Sequence, residues 1–399
     1  MTAAAVARAN TPAGSSQPRL YVGGQQAFSR LFELMAAARE SIVMRCFDWR
    51  DDPTGNEVAE HLLAAADRGV EVTVYKDRVG AAYEYFEGSM QSFLHKNEPW
   101  ITHFQALFLK SVYGKVSPTR QHKNALADAF VAHPNVSVYG DDKRFDHSKV
   151  YTFDDRCIFL GGMGIGDDFQ YRNLDFMVEA HGEETLQHYH RRNSGRRAWN
   201  ADRSLDFIIH NRAVHGRRRC PALGERLRLL ASAQHRLTIE MAYLGDTRFT
   251  EALVNALHRG VDVTLVTGER ANVLGDLNRA TCHRLLQRHR SLQRSRESVG
   301  NLRVALHQNM VHSKIIVADG ARLTIGSANF TPISHGTYDE VDLYLNDPDL
   351  AQQLEHIIEA HVQQGSLHDA RIRYNPLCAA IERAIVAYQG RCTRGVPPH

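Results

Sequence analysis

Two hydrophobic periods alternate along the chain. "SIVMRCFDW", from Ser41, is an apolar-rich run of strand length. In "NEVAEHLLAAADRGVEVTVYKD", which follows it, Val58, Leu62, Leu63 and Ala66 recur at helical spacing. Gly69 ends that helix, and "VEVTVY" then alternates as a strand does. The second half repeats the pattern: "HRLTIEMAYL", from His235, predicts a strand, and "TEALVNALHRGVDVTLVTG" predicts a helix and the next strand. "RGVEVTVY" and "RGVDVTLV" differ at three of eight positions and belong to the same place in each half. Alternating β and α elements predict an α/β fold with a mixed or parallel sheet, built from two similar halves.

A polar signature is duplicated with the pattern. "DHSKVYTFDDRCIFLGGMGIGDDF", from Asp146, and "VHSKIIVADGARLTIGSANF", from Val311, each carry His-Ser-Lys, an apolar run, an Asp and then glycine. Asp175 follows His147 by 28 positions, and Glu340 follows His312 by 28, both in strand-like settings ("NLDFMVEAH", "YDEVDLYL"). In a strand, residues i and i+2 share a face. His147 then points with Lys149, and His312 with Lys314, while Ser148 and Ser313 face the other way. Gly161, Gly162 and Gly326 allow close backbone approach to a bound group. Ser327 and Asn329 add hydroxyl and amide donors in the second copy.

If the halves pack about a pseudo-two-fold axis, two His, two Lys and these polar groups converge on one pocket. Such a pocket suits a phosphodiester. Lysines neutralise the non-bridging oxygens, one neutral imidazole attacks phosphorus, and the other, protonated, donates to the departing alkoxide. Asp175 and Glu340 each have the reach to accept a bond from a far ring nitrogen and fix its tautomer. No metal or other cofactor is called for, since carboxylates do not cluster with these histidines and a neighbouring Lys opposes a cation. A His on a core face would not explain a Lys two residues later on that same face.

Length and composition set the frame. The 399 residues suffice for two ordinary cores, and 43% apolar with 23% charged residues is an ordinary globular balance. The formal charge of +3 is too small to imply nucleic-acid binding. Six cysteines without CxxC pairing read as reduced thiols of a cytosolic protein. Residues 1–18 read as a disordered leader, since Arg8 breaks the one candidate for a signal-peptide core. No window offers about eighteen uncharged apolar residues, so no transmembrane helix is expected. The domain plan is therefore that leader, an N-terminal half over 19–190, a basic connector over 191–225, and a C-terminal half over 226–399. Arg191, Arg192, Arg196, Arg197, Arg217, Arg218 and Arg219 make the connector either a solvated linker or an attachment to anionic membrane.

The paired motifs resemble those of the phospholipase D superfamily over nearly the whole chain from about residue 20. The resemblance implies two similar α/β/α sandwich halves related by pseudo-two-fold symmetry with one shared active site, metal-independent phosphodiester chemistry and a phosphohistidine intermediate. It implies catalytic or phosphate-binding roles for His147, Lys149, His312, Lys314 and Asn329, and a supporting, structural role for Asp154 and Asp319. His147 would be the nucleophile and His312 the acid. Ser327 and Gly162 complete the expected phosphate-binding set. "GGMGIGDDF" is similar to the "GGMNIGDEY" signature of bacterial cardiolipin synthases, and "RNLDFMVEAHG" also has their arginine ahead of a strand. Gly164 stands where that family places an Asn, so the first half lacks one amide donor.

The first half is also longer. Gly69 to His147 spans 78 positions and Gly260 to His312 spans 52. Within the insertion Trp100, Ile101, Phe104, Leu107, Phe108 and Val112 mark one helical face, either a membrane-contacting lid or an ordinary core helix. The expected activity is phosphatidyl transfer to an alcohol, or phospholipase D hydrolysis, at an anionic membrane surface. The lipid would be of the phosphatidylglycerol or phosphatidylethanolamine class, with an alcohol or water as acceptor. The protein would be cytoplasmic, peripherally membrane-associated and monomeric. A nuclease of the same superfamily is the alternative, disfavoured by the near-neutral charge; a lipid-binding pseudoenzyme is a third reading, opposed by the intact motifs.

Overall fold

A computed structural model describes residues 17–86, 92–94, 123–140, 145–216, 219–295, 298–369 and 371–390. Among them lie two mixed sheets. The first contains β1 (Arg19–Val22), β2 (Ser41–Cys46), β3 (Glu71–Lys76), β4 (Val136–Tyr139), β5 (Val150–Phe153), β6 (Cys157–Gly161) and β7 (Phe176–His181), in the order β1-β7-β6-β5-β2-β3-β4. The second contains β8 (Leu205–His210), β9 (Arg236–Met241), β10 (Asp262–Gly268), β11 (Leu302–His307), β12 (Lys314–Ala318), β13 (Arg322–Gly326), β14 (Glu340–Asn346) and β15 (Ser366–His368). Its order, β8-β14-β13-β12-β9-β10-β11-β15, is the first sheet's order with one strand added. In both sheets the three strands joined through helices are parallel and the others antiparallel. The duplication read from the sequence is thus a duplication of topology.

The sheets pack face to face. Val150, Ile158, Leu160 and Val178 of the first sheet share one cluster with Ile315, Val317, Ile325, Val341 and Leu343 of the second. On the outer faces, the helices Gly24–Ala37 and Pro53–Asp67 close one core, and Pro221–Ser232 and Thr247–His258 close another. This explains two kinds of strand in the sequence. β6 and β12 are buried at every position and read as unbroken apolar runs, whereas β3 alternates. Gly69 and Gly260 end equivalent helices with φ of 92° and 89°, a conformation that costs glycine little.

The stretch 191–225 is exposed at Arg191, Arg196, Arg197 and Arg219, as expected, but it is more than a connection. It contains β8, which pairs with β14 as β1 pairs with β7, so the second repeat begins near Leu205. Arg192 is buried, its Nε donating to the Phe207 carbonyl at 2.8 Å and its NH2 to Glu225 at 3.1 Å. That guanidinium ties the edge strand to its neighbours and does not face a membrane. Arg217, Arg218, most of the presumed leader and the amphipathic stretch Trp100–Val112 lie outside the described residues.

Asp154 and Asp319 occupy matching turns in left-handed backbone, φ 53° and 55°. Asp154 accepts from the backbone N–H groups of Arg39, Glu40 and Ser41, and Asp319 from those of Gln234, His235 and Arg236, at 2.8–3.1 Å. Each carboxylate fixes the entry to the central parallel strand, β2 or β9. Asp319→Ala should lower unfolding free energy by about 1 kcal/mol, because three N–H groups at an exposed turn exchange a charged acceptor for water. Asp319→Asn, which keeps an acceptor and tolerates this backbone, should lose less. Urea unfolding midpoints check the order.

Candidate active site

The motif histidines lie just ahead of β5 and β12, not within them, because their backbone is pledged to the other half. The His147 N–H donates to the Asp339 carbonyl at 2.9 Å, and the Asp339 N–H donates to the Phe145 carbonyl at 2.8 Å. Symmetrically, the His312 N–H donates to the Leu174 carbonyl at 2.8 Å, and the Leu174 N–H to the Met310 carbonyl at 2.9 Å. Asp339 and Leu174 immediately precede Glu340 and Asp175. These bridges therefore bring each histidine beside the carboxylate of the opposite repeat. His147 Nδ1 lies 3.2 Å from Glu340 Oε2, and His312 Nδ1 lies 2.7 Å from Asp175 Oδ2. With Nδ1–H assigned as donor to the carboxylate, the lone pair of each neutral ring is on Nε2.

The lysines accompany their own histidines. Lys149 Nζ donates to the His147 carbonyl at 2.7 Å and stands 5.3 Å from the centre of the Phe47 ring. Lys314 donates to the His312 carbonyl and lies 3.0 and 3.2 Å from the two ring nitrogens. One atom cannot lie on both lone-pair axes, so the contact with the ring is electrostatic and the hydrogen bond is to the carbonyl.

Two of the three expected phosphate donors are occupied otherwise. The Ser327 hydroxyl is fully buried and donates to Glu340 Oε2 at 2.5 Å, so it positions the carboxylate. The Gly162 N–H donates to the Phe176 carbonyl, and a Cβ at this glycine would come within 2.4 Å of Asp175 Oδ1. Its role is to admit the Asp175 side chain. Asn329 lines the cleft, and its Oδ1 accepts from the Tyr243 N–H at 3.2 Å, which leaves the amide NH2 for a ligand. At Gly164 a Cβ would stand 2.7 Å from the Phe169 ring and 2.9 Å from Asp48 Cβ. An Asn there would require both to move.

Burial governs the electrostatics. It pushes His147 well below the ordinary imidazole value, helped by Lys149 and Lys314. His312 falls to about 4, first through burial and then through Lys314, although its bond to Asp175 pulls the other way. Burial likewise lowers Lys149 and brings Lys314 down to about 7. Both rings are therefore neutral near pH 7, and an anion entering the cleft would restore the lysine charge.

The cleft, about 620 Å³ including its open mouth, is walled by residues the sequence motifs do not mark. Tyr338 stacks on His147 at 5.1 Å, and Phe47 and Phe169 meet His147 and His312 edge-on at 4.8 and 5.2 Å. Asp48 and Arg50 follow β2, at the strand end where α/β sheets place ligands, and that position was the available signal. Asp154 and Asp319 lie at the opposite strand ends. Among the described residues one Cys–Glu–His group, Cys157, Glu179 and His181, has metal-ligand proximity, but Arg30 already makes two 2.8 Å bonds to its carboxylate.

A family model described as "Cardiolipin synthase, PLD-like domain" matches residues 31–197 and 227–362. The chain belongs to the phospholipase D superfamily. As a superfamily member it is an enzyme of the phosphatidyltransferase/phosphodiesterase kind. It is 24% identical over 376 residues to cardiolipin synthase A of Pseudomonas putida (strain GB-1), covering 88% of this chain and 69% of that protein. It is 22% identical over 360 residues to cardiolipin synthase B of Shigella flexneri, covering 87% and 81%. The crystal structure of phosphatidylserine synthase from Haemophilus influenzae Rd KW20 superposes with a TM-score of 0.66 at 13% identity, over 96% of this chain and 95% of that one. That likeness establishes the shared fold of this phospholipase D-superfamily chain.

A pH dependence of stability follows from the buried rings. His312 has a folded value of about 4 against 6.5 when unfolded, so the unfolded state binds more protons between them. Its contribution is present above pH 6.5 and is lost as pH falls towards 4. Over that window, stability of His312→Asn should fall less steeply than wild type, by up to about 1.4 kcal/mol per pH unit. Chemical denaturation at a series of pH values measures the slopes.

Proposed function

We propose that the chain transfers a phosphatidyl group from a phospholipid to an alcohol, or to water, through a phosphohistidine. The observation that carries this reading is the pair of crossed imidazole–carboxylate couples, each with a lysine, facing one cleft. The phosphodiester anion sits between Lys149, Lys314 and the Asn329 amide, and its charge raises the proton affinity of the rings. His147 Nε2 attacks phosphorus, the P–O bond to the head group breaks, and His312 Nε2–H gives its proton to the departing oxygen. An acceptor hydroxyl then loses its proton to His312 and attacks phosphorus as the P–N bond breaks. The 2.7 Å bond from His312 to Asp175, against 3.2 Å from His147 to Glu340, favours His312 as the ring that becomes imidazolium.

Among the described residues no helix is long and apolar enough to cross a membrane. Lipid access is better served by the helix Pro376–Gln389. Leu377, Ile381 and Tyr388 form one exposed stripe on it, at 70%, 39% and 71% exposure. Arg284 and Arg383 line an adjacent groove without a carboxylate and repel each other, which suits an anionic lipid surface. Val386, on the buried side, packs with Leu274, Ile333 and Tyr338 of the cleft wall. The helix that carries the stripe thus packs on the cleft wall through its other face.

Incubation with phosphatidylglycerol and phosphatidylethanolamine liposomes, read by mass spectrometry, should yield cardiolipin, another phosphatidyl ester or phosphatidic acid. His147→Ala and His312→Ala should each lower turnover by about 10²–10⁴-fold or more. Retained activity in both variants, or cleavage of single-stranded DNA with no lipid turnover, would overturn the reading. Leu377→Asp/Ile381→Asp should abolish flotation with anionic liposomes while turnover of a short-chain soluble lipid persists.

A further inference from the structure

The cleft holds a carboxylate that the proposed reaction does not use. Asp48 lines it together with both motif histidines, and among the described residues its side chain has no hydrogen bond or salt bridge. An acid is an unexpected wall for a site that takes a phosphate anion. It stands beside Gly164, where a side chain would collide with Asp48 and Phe169. The first repeat has thus given up an amide donor for its phosphate and presents a negative charge at that place. The second repeat has Asn329, Thr331 and Ser334 on the opposite wall. The two sides of the cleft are chemically unlike.

The charges sharpen this. Two ammonium groups, Lys149 and Lys314, meet three carboxylates, Asp48, Asp175 and Glu340. Arg50 is held by Asp168 at 2.7 Å, and Arg226, behind Glu340, by Asp342 at 2.6 Å. With neutral imidazoles the two lysines and three carboxylates sum to one negative charge when all five are ionised, and burial pulls the lysines and Glu340 alike towards their neutral forms. A phosphodiester adds another. A substrate that brings its own cation removes the excess. Asp48, whose side chain acts on Lys149, Lys314 and His147 through charge alone and makes no hydrogen bond among the described residues, is the acid placed to meet it. Phe47, Phe169, Tyr243 and Tyr338 wall the same space, and aromatic surfaces favour an ammonium.

We propose that this cleft selects an amino-alcohol phosphodiester, with the phosphate on the lysine pair and the ammonium on Asp48. The substrate class is the ethanolamine type, as the head group that leaves or the alcohol that enters, in preference to glycerol. This rests on the phosphatidyl-transfer reading and adds no chemical step to it: the P–N bond forms and breaks as above, and Asp48 binds without exchanging a proton.

Asp48→Asn tests it, since shape is kept and charge is lost. In the donor arm, phosphatidylethanolamine and phosphatidylglycerol are hydrolysed with water as acceptor. In the acceptor arm, phosphatidylglycerol is the donor and ethanolamine competes with glycerol. Asp48→Asn should lower kcat/KM for the amine-bearing partner at least about tenfold in one arm and that for its glycerol counterpart less than about twofold. The responding arm tells whether the amine belongs to the leaving or the entering group. Equal losses for both, as a merely structural role would give, or no change in preference, overturn the proposal. Calorimetric binding of glycerophosphoethanolamine against glycerophosphoglycerol, to wild type and Asp48→Asn, reads the same preference without turnover. If no lipid is turned over, the phosphatidyl-transfer reading fails, while the binding preference still decides the role of Asp48.

Discussion

Two short backbone bridges hold the cleft together: Asp146 with Asp339, and Leu174 with Val311. Each joins the residue before a motif histidine to the residue before a carboxylate of the other repeat. Once they form, ring and carboxylate have little freedom, because Cα positions a few ångströms apart fix which side chains meet. The packing of sheet on sheet supports the bridges. Val150, Ile315 and Val341, next to the site in sequence, are all buried in the layer between the sheets. A side chain of this kind contributes about 1.5–3 kcal/mol on burial, so the apolar layer supplies the stability that polar groups at its rim do not. Each repeat has its own outer core, but neither completes an imidazole–carboxylate couple alone.

The same burial sets the chemistry. Lysines and histidines in contact, away from water, lose protons that they would hold at the surface. The cleft is therefore tuned to release charge when empty and recover it when an anion arrives. Buried carboxylates without such a partner are costly, and here Glu340 has Ser327 and Asp175 has the Phe176 N–H as additional donors.

What was legible in the sequence was local or repeated. The two periods, the "RGV" corners and the His-Ser-Lys motifs announce two similar halves, and the sheet orders match for seven strands, with β15 added in the second. The equal 28-residue spacing singled out Asp175 and Glu340, but not that each would serve the histidine of the other half, since that crossing is a long-range contact with no periodic trace. Ser327 and Gly162 looked like phosphate donors because composition reports which groups exist, not where their hydrogen bonds go. The arginines of 191–225 hid β8 for a related reason: Arg192 contributes a charge to any composition count while lying buried against the strand it holds. Asp48 carries no signal in the sequence, because a single acid after an apolar strand is common, and only the fold sets it in the cleft without a side-chain hydrogen bond among the described residues.

The crossing of the couples has one more consequence. Were this site built from two separate copies of one repeat, every residue would appear on both sides, and a change suited to the leaving group would be imposed on the nucleophile as well. Joining the repeats in one chain removes that constraint. Gly164 and Asn329 then diverge, as do Asp48 and Tyr243 at the ends of β2 and β9, while the shared frame stays intact. Covalent fusion thus lets a symmetric scaffold hold two unequal rings between two unequal walls.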